Sequence, residues 1–143
     1  MKPVKQRSTC PISSALDIFG DKWSLLVMRD LLLRDKRHYR DFLASEEGIA
    51  TNILADRLAR LEWAGLIEKT DDEPRSGRQA YAATAKGADL IPTLLQMLLW
   101  SADHNPLQIT APPPLVAELR ADFYKTARAV REHGGVEAFL ASL

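Results

Sequence analysis

Asn52, Ala55 and Asp56 share one edge of a stretch with helical periodicity, and each has a side chain suited to a base edge. An asparagine can bond adenine through two hydrogen bonds, an alanine can meet a thymine methyl, and a carboxylate can accept from the N4 amino group of cytosine. Thr51 opens the same stretch. Arg40, Arg57, Arg60, Lys69, Arg75 and Arg78, with Arg37 and His38 beside the first of them, supply groups that grip phosphate without reading sequence. The chemistry on offer is recognition of duplex DNA. Cys10 offers a second kind. It precedes Pro11, near a helix start whose dipole favours a thiolate, and Lys5 and Arg7 lie close by in sequence. A redox switch at Cys10 stands against a plainer role, a small residue packed at a dimer interface.

Other chemistries find little footing. His38, His104 and His133 are far apart, with no i, i+4 pair and no acidic residue at ligand spacing, so no metal site is expected. Glu46-Glu47 and Asp71-Asp72-Glu73 fall in turn-like stretches where carboxylates are solvated, whereas acid–base catalysis wants a buried pair. There is no phosphate-cradling glycine loop and no Gly-x-Ser-x-Gly, and neither an enzyme nor a cofactor is expected.

These side chains need elements to position them. The chain has 143 residues, enough for one domain, and is 46% hydrophobic and 27% charged, the composition of a globular protein. Nineteen basic residues balance 19 acidic ones, which argues against a generic nucleic-acid binder. Local excess survives: Met1 to Cys10 carries Lys2, Lys5 and Arg7 with no acid, and Arg29 to Arg40 carries five basic residues against Asp30 and Asp35. Either basic stretch could equally be a solvated face. The apolar uncharged run Leu90 to Ala102 contains Pro92 and is too short to span a membrane. Nothing after the basic N-terminus resembles a secretory h-region, and a single cysteine suits a reducing compartment, so a cytoplasmic location with no membrane partner is expected.

The apolar spacing predicts a helix from Pro11 ended by Gly20, with Ile12, Leu16 and Phe19 on one stripe. A second helix, capped by Asp21, has so little polar face that it must be the buried one. Tyr39 to Ala44 is a short helical segment, and Ser45 to Gly48 is a turn. A longer helix from Thr51 to Ala64 sets Leu54, Leu58 and Leu61 inward and Asn52, Asp56, Ala59 and Arg60 outward, with Thr51 as its cap and Gly65 as its stop. Two β-type runs, Leu66–Thr70 and Gln79–Ala83, form a hairpin with a charged tip. Thr84 starts a final long helix that Pro92 bends. Its Leu90, Ile91, Leu94, Leu95, Leu98 and Leu99 form two apolar flanks that suit either a subunit interface or full burial; in the first case Leu94, Leu95 and Leu98 would meet the partner together with Ile12 and Leu16 of the first helix. Past Pro112-Pro113-Pro114, Leu115 to Glu132 reads as one amphipathic helix ended by Gly134-Gly135, with a last turn or two beyond. The expected division is a basic tail over 1–10, a winged helix-turn-helix domain over 11–106 and a helical extension over 107–143.

That order of elements, mainly α with a small β-hairpin, is a winged helix-turn-helix. Six blocks carry a closer resemblance: Cys10-Pro11; Gly20-Asp21-Lys22-Trp23-Ser24-Leu25-Leu26; His38-Tyr39-Arg40-Asp41-Phe42; Gly48 to Leu58; Leu61-Glu62-Trp63-Ala64-Gly65-Leu66-Ile67; and Tyr81 to Gly87. In this order they resemble the HxlR-type winged helix transcriptional regulators. The resemblance implies a homodimeric bacterial regulator whose dimer is built from the first and last helices and which binds a palindromic double-stranded DNA operator. It also implies, at Cys10, the thiol sensor found in some members. Two departures stand out. Many relatives open the recognition helix with Ser-Pro-Arg, where this chain has Ala50-Thr51-Asn52, and the acidic hairpin tip predicts modest non-specific affinity. The resemblance does not reach the tail beyond Pro106.

Three functions follow. The first is a sequence-specific DNA-binding regulator, responsive to a small molecule or to thiol oxidation. The second is a winged helix used only for protein contacts, which the near-neutral charge would suit. The third, a ligand-binding helical domain, would use an aromatic-lined effector pocket between the last helix and the extension; otherwise Trp23, Trp63 and Trp100 are core or interface residues.

Overall fold

The computed structural model describes residues 4–70, 79–105 and 108–143. Pro11, whose fixed φ suits a first helical position, opens α1 (Pro11–Phe19), with the extended Cys10 as its cap residue. Asp21 then begins α2 (Ser24–Leu33): its carboxylate accepts from the backbone N–H of Trp23 at 2.8 Å and of Ser24 at 2.9 Å. Val27, Met28, Leu31, Leu32 and Leu33 of α2 are buried, as its near-continuous apolar sequence requires. α3 (Tyr39–Leu43) and α4 (Thr51–Trp63) complete the helix-turn-helix. Gly65, at φ +80°, adopts the left-handed conformation that ends α4, so that Leu66 N–H bonds back to the Leu61 carbonyl at 3.0 Å.

β1 (Ile67–Thr70) pairs antiparallel with β2 (Ala80–Ala83), placing Ile67 opposite Ala83 and Thr70 opposite Ala80. The hairpin tip, with Arg75 and Arg78 among the expected phosphate contacts, lies outside the described residues. Thr84 does cap a helix, its hydroxyl accepting from Gly87 N–H, but that helix is α5 (Ala85–Ala88) alone. A new helix, α6 (Ile91–His104), begins with Pro92 in its first turn. The expected bend is therefore a break: Pro92 has no N–H to donate to Ala88, and its ring would crowd that carbonyl. A side chain at Gly87 would put its Cβ 2.0 Å from the Leu66 carbonyl oxygen, so glycine lets α5 sit against the strand entry.

The extension also divides differently. Asp122, at φ −155° and ψ 97°, separates α7 (Pro113–Ala121) from α8 (Phe123–His133), and its side chain caps α8 by accepting from Lys125 N–H at 3.2 Å. An aspartate that can cap the second half makes two shorter helices competitive with one long one. Gly134 ends α8 in the left-handed conformation as expected, and α9 (Val136–Ala141) follows.

One hydrophobic cluster joins these parts. Leu54, Leu58 and Leu61 of α4, Ile91, Leu94 and Leu95 of α6, Leu115 and Leu119 of α7, Val130 of α8 and Phe139 of α9 all belong to it. This corrects the expected subunit-facing role of Leu94 and Leu95, since packing against α2 and α8 takes them into the protomer's own core, Leu95 fully. Leu98 is half-buried, while Met97 and Trp100 face outward. Among the described residues no helix is long and apolar enough to cross a membrane.

Candidate nucleic-acid interface

α4 has two sharply different sides. Leu54, Leu58 and Leu61 are 0%, 2% and 1% exposed, so the helix cannot roll without uncovering the core. Asn52, Ala55, Asp56 and Ala59 are exposed away from these leucines and Thr51 is exposed at the helix start, with Arg57 and Arg60 partly covered. The cap residue is Ala50, extended at φ −71° and ψ 148°, with Thr51 already helical. Thr51 is thus not the cap, because its own N–H and side chain lie inside the first turn; instead its carbonyl accepts from the Tyr39 hydroxyl at 2.8 Å.

A charged network holds the turn that presents α4. Asp30 of α2, 3% exposed, accepts from the Ser45 hydroxyl and from Arg29 Nη2 at 2.9 Å, and Lys36 Nζ donates to Ser45 at 2.6 Å. Arg29 also forms a two-pronged bond with Glu47 at 2.7 and 2.8 Å, and Arg34 forms one with Glu46 at 3.0 and 2.9 Å. The Arg34 guanidinium lowers the Glu46 carboxyl to about 2, and Arg29 lowers Glu47. Glu46 and Glu47 are therefore ion-paired as well as solvated, and Arg29 and Arg34 of the basic stretch 29–40 are matched by these neighbouring acids. The acidic pair beside the turn was the available signal for this pairing.

Arg57 is tied inward as well. Its Nε donates to Asp21 Oδ1 at 3.0 Å, and its Nη1 to Asp56 Oδ2. Despite burial, hydrogen bonds from Ser24 and Arg57 keep the Asp21 carboxyl far below the carboxylate range, and Arg57 is raised against its own burial. Sequence gave no sign of this pairing, since the partners lie 36 positions apart.

The remaining expected contacts lie on the α2–α3 connection, α3 and β1. Arg40 at α3 and Lys69 on β1 are exposed. Arg37 is half-buried, with its carbonyl accepting from Tyr81 N–H at 2.8 Å, and His38 pairs its backbone with Ala80 while its ring faces Asp41 at 3.4 Å. These backbone bonds fasten the α2–α3 connection to the wing.

Cys10 is exposed at the start of α1. Arg7 is directed at Asp17 through its side chain and its N–H rather than at the thiol. Ile12 and Leu16 of α1 are 73% and 49% exposed, an unpartnered apolar stripe. Between α6 and α8, where an aromatic-lined pocket is expected, lies an open depression lined by Gln96, Met97, Trp100, Phe123 and Tyr124. Trp63 and Trp100 are half-exposed or more, and Trp23 is partly buried beneath Lys22.

Comparison with known proteins bears on this geometry. The chain is 34% identical over 88 residues to sll1512, an uncharacterized HTH-type transcriptional regulator of Synechocystis sp., a match covering 62% of this chain and 64% of that protein. It is 27% identical over 95 residues to Rv3095, an uncharacterized HTH-type transcriptional regulator of Mycobacterium tuberculosis, covering 66% and 59%. It spans less than two thirds of these curated relatives. Among solved structures, PA1607 superposes with a TM-score of 0.63 at 33% identity over 76% of this chain and 71% of that one. The reduced form of the transcriptional regulator YodB from B. subtilis superposes at 0.54 with 26% identity, over 66% and 93%. The oxidized form of the redox regulator HypR gives 0.58 at 25% identity, over 66% and 96%. The HxlR-like helix-turn-helix profile matches residues 18–108, from the end of α1 past α6, and so includes the whole of α4 and its turn. With the profile matched over α4 and the turn before it, this mainly helical winged helix-turn-helix chain belongs to the HxlR-like helix-turn-helix family.

Proposed function

We propose that the protein is a sequence-specific DNA-binding transcriptional regulator. In this reading α4 enters the major groove with Asn52, Ala55 and Asp56 against base edges, and β1–β2 serves as the wing. One observation carries it: the polar edge of α4 is exposed while the opposite leucines are locked in the core. Arg40, Arg60 and Lys69 border that edge and would meet phosphate. A second copy would bring a second α4 to the other half-site, and the exposed Ile12 and Leu16 stripe of α1, with Leu98, is the surface this reading assigns to it.

A gel-shift titration with the DNA upstream of the protein's own gene tests the reading. A retarded band is expected at low salt, and a winged helix used only for protein contacts would give none. Asn52→Ala should relax sequence choice, whereas Lys69→Ala should weaken all sequences alike and reduce the salt slope by about one. Uniform loss in both variants would overturn the assignment of readers.

Thiol control is the favoured mode of regulation, because Cys10 is exposed at the start of α1 and two structural neighbours are a redox regulator in its oxidized form and a regulator in its reduced form. With one cysteine per chain, oxidation would join two subunits or a small thiol through a disulfide. Diamide should change operator affinity in the wild type and not in Cys10→Ser. Equal loss in both would exclude Cys10 as the switch.

A further inference from the structure

Three charged side chains are linked in series from the interior of the protomer to the exposed edge of α4. Asp21 is the inner member. Its Oδ1 accepts from the N–H groups of Trp23 and Ser24 and from Arg57 Nε at 3.0 Å, and its Oδ2 accepts from the hydroxyl of the buried Ser24 at 2.6 Å. A carboxylate with four donors around it cannot turn without undoing the start of α2, so Arg57 is fixed from its inner side. The outer end of the same guanidinium donates to Asp56. Asp21 and Arg57 are mostly covered, their side chains 23% and 18% exposed, whereas Asp56 is 52% exposed.

We propose that Asp56 selects a cytosine in the operator by accepting from its N4 amino group, and that Arg57 and Asp21 are positioning residues that aim the Asp56 carboxylate at that contact. The inference rests on the reading in which α4 enters the major groove. An unaccompanied carboxylate approaching DNA is repelled by the phosphates, and Arg57, shared with Asp21, offsets part of the Asp56 charge at the point of approach. A loose aspartate would also lose torsional freedom on binding, which one already held does not. Arg57, occupied on both sides by carboxylates, then acts through Asp56 and not as a grip on phosphate.

Selection of sequences from a pool of duplexes with randomised half-sites tests this, using wild type, Asp56→Ala, Arg57→Gln, Arg57→Lys and Asp21→Asn. Asparagine keeps one oxygen for the α2 N–H groups and Arg57 Nε, removes the charge, and turns the group facing the Ser24 hydroxyl from an acceptor into a donor, to which that hydroxyl can respond by accepting; a thermal melt verifies that Asp21→Asn folds. The wild type should prefer cytosine at one position of each half-site. Asp56→Ala should erase that preference. Arg57→Gln and Asp21→Asn should weaken it at the same position by up to about tenfold, leaving other positions and the salt slope unchanged, with Arg57→Lys restoring part of it. Arg57→Gln would overturn the proposal by lowering affinity for every sequence and flattening the salt slope. So would relaxation at a different position, or wild-type selection that none of the variants alters. These last results leave α4 in the groove, whereas a wild type that enriches no sequence removes the groove reading and this inference together.

Discussion

The turn that presents α4 and the three-helix extension rest on the same core but are held to it by different means. The turn is fastened by Asp30, Ser45 and Lys36 and by the Arg29–Glu47 and Arg34–Glu46 forks. The extension is fastened chiefly by Leu115, Leu119, Ala127, Val130 and Phe139. Apolar contact is non-directional and suffices to keep a cover in place. Forked ion pairs set direction as well as proximity, which is what the proposed base-reading edge requires. The difference teaches that attachment and aim are separate tasks here, with leucines supplying the first and charges the second.

Truncating the extension's anchor tests one side of that contrast. Leu119→Ala, at a site 1% exposed, should lower stability by about 4 kcal/mol in chemical denaturation. The ratio of operator to non-specific affinity should stay as it was, provided the folded protein is measured. A changed ratio would mean that the extension helps to aim α4.

Asp30→Ala tests the other side. Removing the buried carboxylate takes a partner from Ser45, Lys36 and Arg29, and stability should fall by about 3 kcal/mol, at the low end for a buried pair because Arg29 keeps Glu47 and both cations can reach water. Unlike Leu119→Ala, this variant should also lose base discrimination among the molecules that remain folded. Intact discrimination would break the contrast.

The smallest effect sharpens it further. Glu46 and Glu47 have folded-state pKa values below the ordinary 4.5, so the stability they confer is fully present above that pH. It is lost as pH falls through the folded values, toward about 2 for Glu46. An acid titration should therefore show stability declining below about pH 4.5. Arg34→Ala should remove the Glu46 part of that decline with little change at pH 7, because an exposed pair contributes little in water. A large loss at pH 7 would show that the outer fork matters more than its exposure implies.

Much of this was readable in advance, for local reasons. The inward leucines of α4, the wing strands and the glycine stop at Gly65 each follow from spacing within a dozen residues, and the structure places them accordingly. Reading the segment from Leu115 to Glu132 as one helix failed because apolar periodicity continues across Asp122 while the backbone does not. Pro92 was noticed as a disturbance, yet whether a proline bends or breaks a helix depends on what each half can pack against.

Sequence by itself determined which elements form, which face of α4 is greasy, and the family to which the matched region belongs, because apolar period and turn chemistry act over short stretches of chain. Only the tertiary structure decided that Arg57 turns inward to Asp21, that Glu46 and Glu47 absorb the nearby arginines, and that Leu94 and Leu95 stay inside the protomer. Ion pairing and burial depend on which surfaces packing brings within a few ångströms, and that proximity is set by the whole fold rather than by the spacing of residues along the chain.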